Sequence, residues 1–179
     1  MLEKNYSDIR PLIKTGDCIL WRGTKPLQLA IQIYGGFSHA SLVVRPEEFK
    51  GLQDRVFIVE ATGHGVDPRQ LSLVCHEHGQ PYLLTTPGMS DDQRKKLCEY
   101  AIDLATRGVK YNFEGVFKNV IARINTNMHR FFCSELVWVS WIIAGYIDTK
   151  SHEAKMPRPG DMPRWAPQPN ELIKILMDA

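Results

Sequence analysis

The chain has 179 residues, of which 44% are hydrophobic and 23% charged, and its formal net charge at pH 7 is +2. These proportions exclude a disordered chain, and the length suits a single domain with a substantial core. The near-balanced charge and the lack of a long basic run give no ground for a nucleic-acid partner.

The N-terminal MLEKNYSDIRPLIK has no apolar core of the kind a signal peptide needs. The longest apolar stretch, Leu136 to Ile147, is interrupted by Ser140 and is too short to span a bilayer. The expectation is a soluble, cytoplasmic protein without a transmembrane segment, with membrane-surface contact and oligomeric state left open. Cys18, Cys75, Cys98 and Cys133 form no CxxC pair, so in a reducing compartment each is a free thiol explained by packing or by chemistry.

In chain order, GDCILWRG (16–23) reads as a first strand bounded by glycines. In KPLQLAIQIYGG, Leu27, Ala30, Ile31 and Tyr34 fall at helical spacing, and Gly35–Gly36 stops the helix. FSHASLVVR and RVFIVEAT follow as second and third strands, with RQLSLVCHE and PYLLTTP as fourth and fifth. The pattern then turns helical. Ser90 and Gln93 form a capping-box signature ahead of Leu97, Tyr100, Ala101 and Leu104, which end at Gly108. Further helices are expected over 113–124 and 133–146. Five prolines between Pro157 and Pro169 predict an irregular surface tail, and 172–176 closes the chain as a short helix or strand. Strands first and helices after predict a single α+β domain over 1–179, its core at about 15–147, with an antiparallel sheet of about five strands packed against helices.

Three polar residues sit in apolar company. His39 precedes Leu42, Val43 and Val44 in one strand, and Glu60 shares a strand face with Val56 and Ile58 by period-two alternation. Such groups are costly to bury unless they satisfy each other. Cys133 heads an apolar helix, where unpaired backbone N–H groups and the helix dipole stabilise a thiolate. A neighbouring imidazolium does the same, and such effects together lower a cysteine pKa from about 8.5 to roughly 3.5–7.5. A soft nucleophile, a base and a group to orient the base are therefore all available. Taken one at a time, Cys133 and His39 read more readily as a core cysteine and a structural histidine, and Glu60 reads equally well as a strand-end glutamate.

The ordered set GDCILWRG, FSHASLVV, FIVEAT, GVKYNFEG, FFCSELVW resembles the circularly permuted papain-like hydrolases, the YiiX-like relatives of NlpC-type cell-wall peptidases. The order His39, Glu60, Cys133 matches the permuted branch, and the resemblance spans roughly Thr15 to Tyr146. It implies a permuted papain-like fold and a thiol hydrolase with Cys133 as nucleophile, His39 as general base and acid, and Glu60 as orienter. It also draws attention to Tyr111, in GVKYN, which would bind substrate or help the oxyanion, or else is a partly buried aromatic after a helix. Ser134, beside the nucleophile, is a further candidate for substrate contact. His64, between glycines shortly after Glu60, is a third candidate for substrate contact, and Glu135 either partners the helix dipole or lines the site.

Other signals in the sequence are weaker. His76 and His78 in VCHEHG share a face if the segment is a strand, but no second ligand cluster has suitable spacing, so a solvated strand end is expected and no metal or cofactor is assigned. His129 is a rival base, four residues before Cys133. Cys18, Cys98, Trp138 and Trp141 read as core.

The leading expectation is a cysteine amidase or peptidase acting on a small peptide or acyl-amide through an acyl-enzyme. One rival keeps the site but makes it a lipid acyl hydrolase or acyltransferase, with KPLQLAIQIYGGF admitting an acyl chain, against the plainer reading of that segment as a core helix. The other rival is a binding module with a vestigial site.

Overall fold

A computed structural model describes residues 2–33, 35–46, 51, 55–62, 65–107, 132–148 and 157–177. The described strands are β1 (Leu2–Asn5), β2 (Cys18–Arg22), β3 (His39–Val44), β4 (Phe57–Thr62), β5 (Gly65–Gln70), β6 (Gln80–Leu84) and β7 (Leu172–Leu176). The helices are α1 (Tyr6–Ile9), α2 (Pro26–Gln32), α3 (Leu71–His78), α4 (Asp91–Thr106), α5 (Phe132–Ile143) and α6 (Met162–Trp165).

All seven strands form one sheet in the order β1-β7-β6-β2-β3-β4-β5. Its pairings are antiparallel except β1 with β7, which run parallel. The sheet is thus mixed and has seven strands, not antiparallel with about five. The additions are β7, β1 and β5. β1 reads LEKN, is exposed along its length and joins β7 through main-chain pairing and a Lys174–Glu3 ion pair, so it carries no apolar alternation to announce it.

Period-two alternation gives the sheet two apolar faces. Cys18, Leu20, Leu42, Val44, Val59 and Ala61 pack on one side against Leu97, Leu104, Leu136, Val137 and Trp141 of α4 and α5. Ile19, Trp21, Val43 and Ile58 pack on the other against Ile9, Ile13, Leu71 and Val74. Helix α4 begins at the expected capping box: the Gln93 N–H donates to Ser90 Oγ, and the Ser90 N–H to Gln93 Oε1 at 2.9 Å. Helix α5 is buried along Leu136–Trp141, with Trp138 and Trp141 in the core.

Two other segments differ from expectation. RQLSLVCHE is not a strand: its first two residues end β5, and helix α3 follows from Leu71. Gly79 ends that helix at φ 92°, where a Cβ would collide with the Arg22 carbonyl. Helix α2 is present but buries none of its residues, so it is not a core helix. The proline-rich tail is irregular apart from the single turn of α6. The helix expected over 113–124 lies outside the described residues.

Candidate active site

The site forms where β3 and β4 part. Their ladder covers only Leu42–Val44 against Phe57–Val59, although β3 starts at His39 and β4 continues to Thr62. Val43 turns its N–H toward β2, bonding Asp17 O at 2.8 Å. By the alternation of an antiparallel ladder, Ala40 turns its N–H the opposite way, into the gap left by β4. The head of α5 is seated there. The Cys133 sulfur is hydrogen-bonded to the His39 side chain and to the backbone N–H groups of Ala40 and Ser134.

His39 and Glu60 face the opposite side of the sheet from α5, among Trp21, Val43 and Ile58, and Glu60 is fully buried. His39 Nε2 lies 2.9 Å from Glu60 Oε2. With Nε2 engaged by the carboxylate, Nδ1 is the ring nitrogen left for the thiol. Ser41, two residues along β3 on the same face, donates to Glu60 Oε2 at 3.2 Å and accepts from Trp21 Nε1 at 2.9 Å. Arg69 of β5 lies 3.3 Å from Oε1 and is itself paired with Glu77. His78, at the end of α3, places Nε2 3.0 Å from Oε2 and 3.2 Å from Oε1. Its ring stacks on His39 with centroids 4.6 Å apart and packs against Trp21 at 5.0 Å.

The electrostatics follow from this crowding. Burial alone would raise the Glu60 pKa, but hydrogen bonds from His39 and His78 carry it below the usual carboxylate range. Burial would lower that of His39, but the Cys133 and Glu60 charges outweigh it and push the imidazolium up to about 10. Burial would raise the Cys133 pKa, yet His39 and the two backbone N–H groups bring it below that of a free thiol. The combination favours a thiolate–imidazolium pair. In contrast, burial pushes the Cys75 thiol up to about 11.

Of the expected residues, Cys133, His39 and Glu60 are brought together. Ser134 is fully buried in the first turn of α5 and contributes its backbone N–H to the sulfur. Glu135 is buried beside it, and burial pushes its carboxyl up to about 7. Tyr111, His64 and His129 lie outside the described residues. His76 is exposed, but His78 is not the solvated strand end expected of it. Ser41, Trp21 and Arg69 also went unnoticed. Ser41 had a signal, since it shares the His39 strand face by alternation.

A metal ion would find ligands here. The donor atoms of His39, Glu60 and His78 lie within 4.8 Å of one another. Zinc–nitrogen bonds of about 2.0–2.1 Å in a tetrahedron set donor separations of about 3.3 Å. The two separations to Oε2, 2.9 and 3.0 Å, are within a few tenths of that value. The donor set therefore fits a small divalent transition metal.

The arrangement defines an α+β protein with a mixed sheet carrying a buried histidine–carboxylate centre against a helix-head cysteine. Among solved structures, the chain is similar to the metalloprotein YiiX of Escherichia coli O157:H7, with 23% identity and a TM-score of 0.54 over 75% of this chain and 67% of that one. The two share a fold. No protein-family model matches the sequence, and no curated protein does. Among the described residues, no helix is long and apolar enough to cross a membrane.

Proposed function

We propose that the protein is a cysteine hydrolase that opens an amide through an acyl-enzyme on Cys133. The observation that carries this reading is the continuous link from the Cys133 sulfur through His39 to Glu60 Oε2, its last step 2.9 Å long. The likeness to YiiX supports the α+β fold, and the order His39, Glu60, Cys133 is the one that the resemblance to the permuted papain-like hydrolases implies.

In the proposed reaction the Cys133 thiolate attacks the carbonyl carbon, and the oxygen takes up the negative charge beside the N–H groups at the head of α5. The tetrahedral intermediate collapses as its C–N bond breaks, and His39 gives its proton to the leaving amine. Water then attacks the thioester, losing a proton to His39, and the acid departs as the thiolate is restored. Glu60 holds the His39 ring in place and stabilises its charge throughout. YiiX is described as a metalloprotein. Here His39, Glu60 and His78 are the residues that would hold such an ion, which when bound takes imidazole lone pairs out of proton transfer.

A screen with peptide, amide and ester probes tests the reading, with Cys133→Ala as control. The expected result is a covalent acyl adduct on Cys133 and turnover that the variant abolishes. Turnover that survives in the variant overturns it.

One observation favours a second substrate class. Leu27, Leu29, Ile31 and Ile33 of α2 and its C-terminal edge are all exposed, Leu27 by 74% and Ile33 by 80%. Exposed apolar side chains on both sides of this short helix, shortly before His39, suit an acyl lipid better than a hydrophilic peptide. Acylation of Cys133 by an activated acyl lipid, together with inert peptide probes, would select this lipid acyl hydrolase or acyltransferase reading.

A further inference from the structure

A thiol hydrolase needs one imidazole against its carboxylate, yet two converge on Glu60. His39 Nε2 and His78 Nε2 lie 2.9 and 3.0 Å from the same oxygen, Oε2. They arrive from different elements, β3 and the end of α3, and the second histidine has no part in the acyl-transfer chemistry above. His78 is also held in register: its ring lies between Trp21 and His39, and Gly79 ends the helix immediately after it.

We infer that His39, His78 and Glu60 form a binding site for one divalent transition-metal ion of the zinc or cobalt class, and that occupancy switches the Cys133 centre off. Two neutral imidazoles and one carboxylate are a borderline-soft donor set of the kind zinc takes in three-ligand sites with an open fourth position. Arg69 against Oε1 and Ser41 against Oε2 supply the outer contacts that orient a metal-bound carboxylate. Closing bonds of about 2.0–2.2 Å onto a shared ion requires each imidazole–carboxylate separation to spread by a few tenths of an ångström, among donors that all lie within 4.8 Å of one another.

The consequence for the thiol follows from the imidazole. Once Nε2 of His39 binds a metal, its neutral ring carries its proton on Nδ1 and has no lone pair left to accept one from Cys133. Metal binding and general-base action by His39 are therefore exclusive, and ligation displaces the Nε2 proton to solvent. The ligand set does not include Cys133, so the site stands or falls independently of the hydrolase reading.

Chelator-treated protein is titrated with Zn²⁺ in competition with a chromogenic chelator, and with Co²⁺ followed by visible absorption. The expected result is one ion per chain in the wild type and in Cys133→Ala. His78→Ala should weaken binding at least 100-fold, while His76→Ala, an exposed neighbour on the same helix, should leave it unchanged. Zn²⁺ at one equivalent should also lower turnover on a responsive probe at pH 7 by about tenfold or more. Weak binding that His78→Ala leaves intact overturns the site, as does loss of stoichiometric binding in Cys133→Ala. If binding follows the pattern but turnover is unaffected by Zn²⁺, the switching is wrong. Failure of the Cys133→Ala control in the probe screen, by comparison, bears only on the hydrolase reading.

Discussion

Two buried carboxylates, Asp17 and Glu60, show how similar residues in one sheet come to serve different ends. Asp17, at the entry to β2, accepts from the Lys14 N–H at 2.8 Å, the Thr86 N–H at 2.9 Å and Thr86 Oγ1 at 2.7 Å, with Arg94 at 4.0 Å. Its close partners are backbone and hydroxyl groups that do not titrate. Glu60 is ringed by His39, His78, Arg69 and Ser41, and through His39 it reaches a cysteine. Burial dominates at Asp17 and leaves its pKa raised, whereas the imidazoles win at Glu60 and leave it lowered. A carboxylate tied to fixed donors pins a chain in place, and one tied to groups that gain and lose protons can pass charge along.

The largest effect should come at the end of the Glu60 chain. Cys133→Ala is expected to lower turnover on a responsive probe by about 10³-fold or more, with little loss of stability, because the residue is only half-buried and the change removes a single sulfur atom. A comparable loss in Asp17→Asn, at equal folded fraction, would erase the contrast between the two carboxylates.

Stability should separate them next. Asp17→Asn is expected to cost about 2–4 kcal/mol by denaturant unfolding, since an amide cannot accept from all three donors. It should leave the pH midpoint of Cys133 alkylation where it was. Glu60→Gln should move that midpoint upward by about one pH unit, because the His39 imidazolium loses its counter-charge. Stability loss without a midpoint shift in Glu60→Gln would make Glu60 a second Asp17.

Glu135 extends the comparison to a buried carboxyl that burial alone acts on, with its pKa pushed up to about 7 from an ordinary 4.5. The folded state then binds more protons than the unfolded state between those values, so stability falls as pH rises from 4.5 through 7. Glu135→Gln should raise stability by about 2 kcal/mol at pH 8 and by almost nothing at pH 4, checked by urea unfolding at both. The smallest effect is expected on α2. Leu27→Ser with Ile33→Ser should change stability by less than about 0.5 kcal/mol, the side chains being exposed. Under the lipid reading it should still reduce acylation by a lipid probe several-fold.

The sequence carried the site further than it carried the sheet. His39 and Glu60 were visible because a strand shows its faces by alternation, and Cys133 because it heads an apolar helix. His78 was missed through a wrong period. LSLVCHEH looks alternating at its start, but its inward stripe is the buried Leu71 and Val74 with the half-buried Cys75 and His78, the i, i+3, i+4, i+7 spacing of a helix. Reading that spacing would have placed His78 on the core side. β1 had no such signal, since LEKN joins β7 through main-chain bonds across nearly the whole chain. The exposed face of α2 could not be foreseen from its pattern, which matches that of a helix with an apolar face in the core.

The central claim is that His39, backed by Glu60, keeps Cys133 as a thiolate. Site-resolved alkylation of chelator-treated protein by iodoacetamide as a function of pH, read by mass spectrometry, tests it directly. Cys75, which burial pushes up to about 11, provides the internal comparison. The expected result is a Cys133 midpoint below the ordinary thiol value of 9.0, moving up in His39→Ala while that of Cys75 stays fixed. A Cys133 midpoint at or above the ordinary value, unchanged in His39→Ala, would contradict the account.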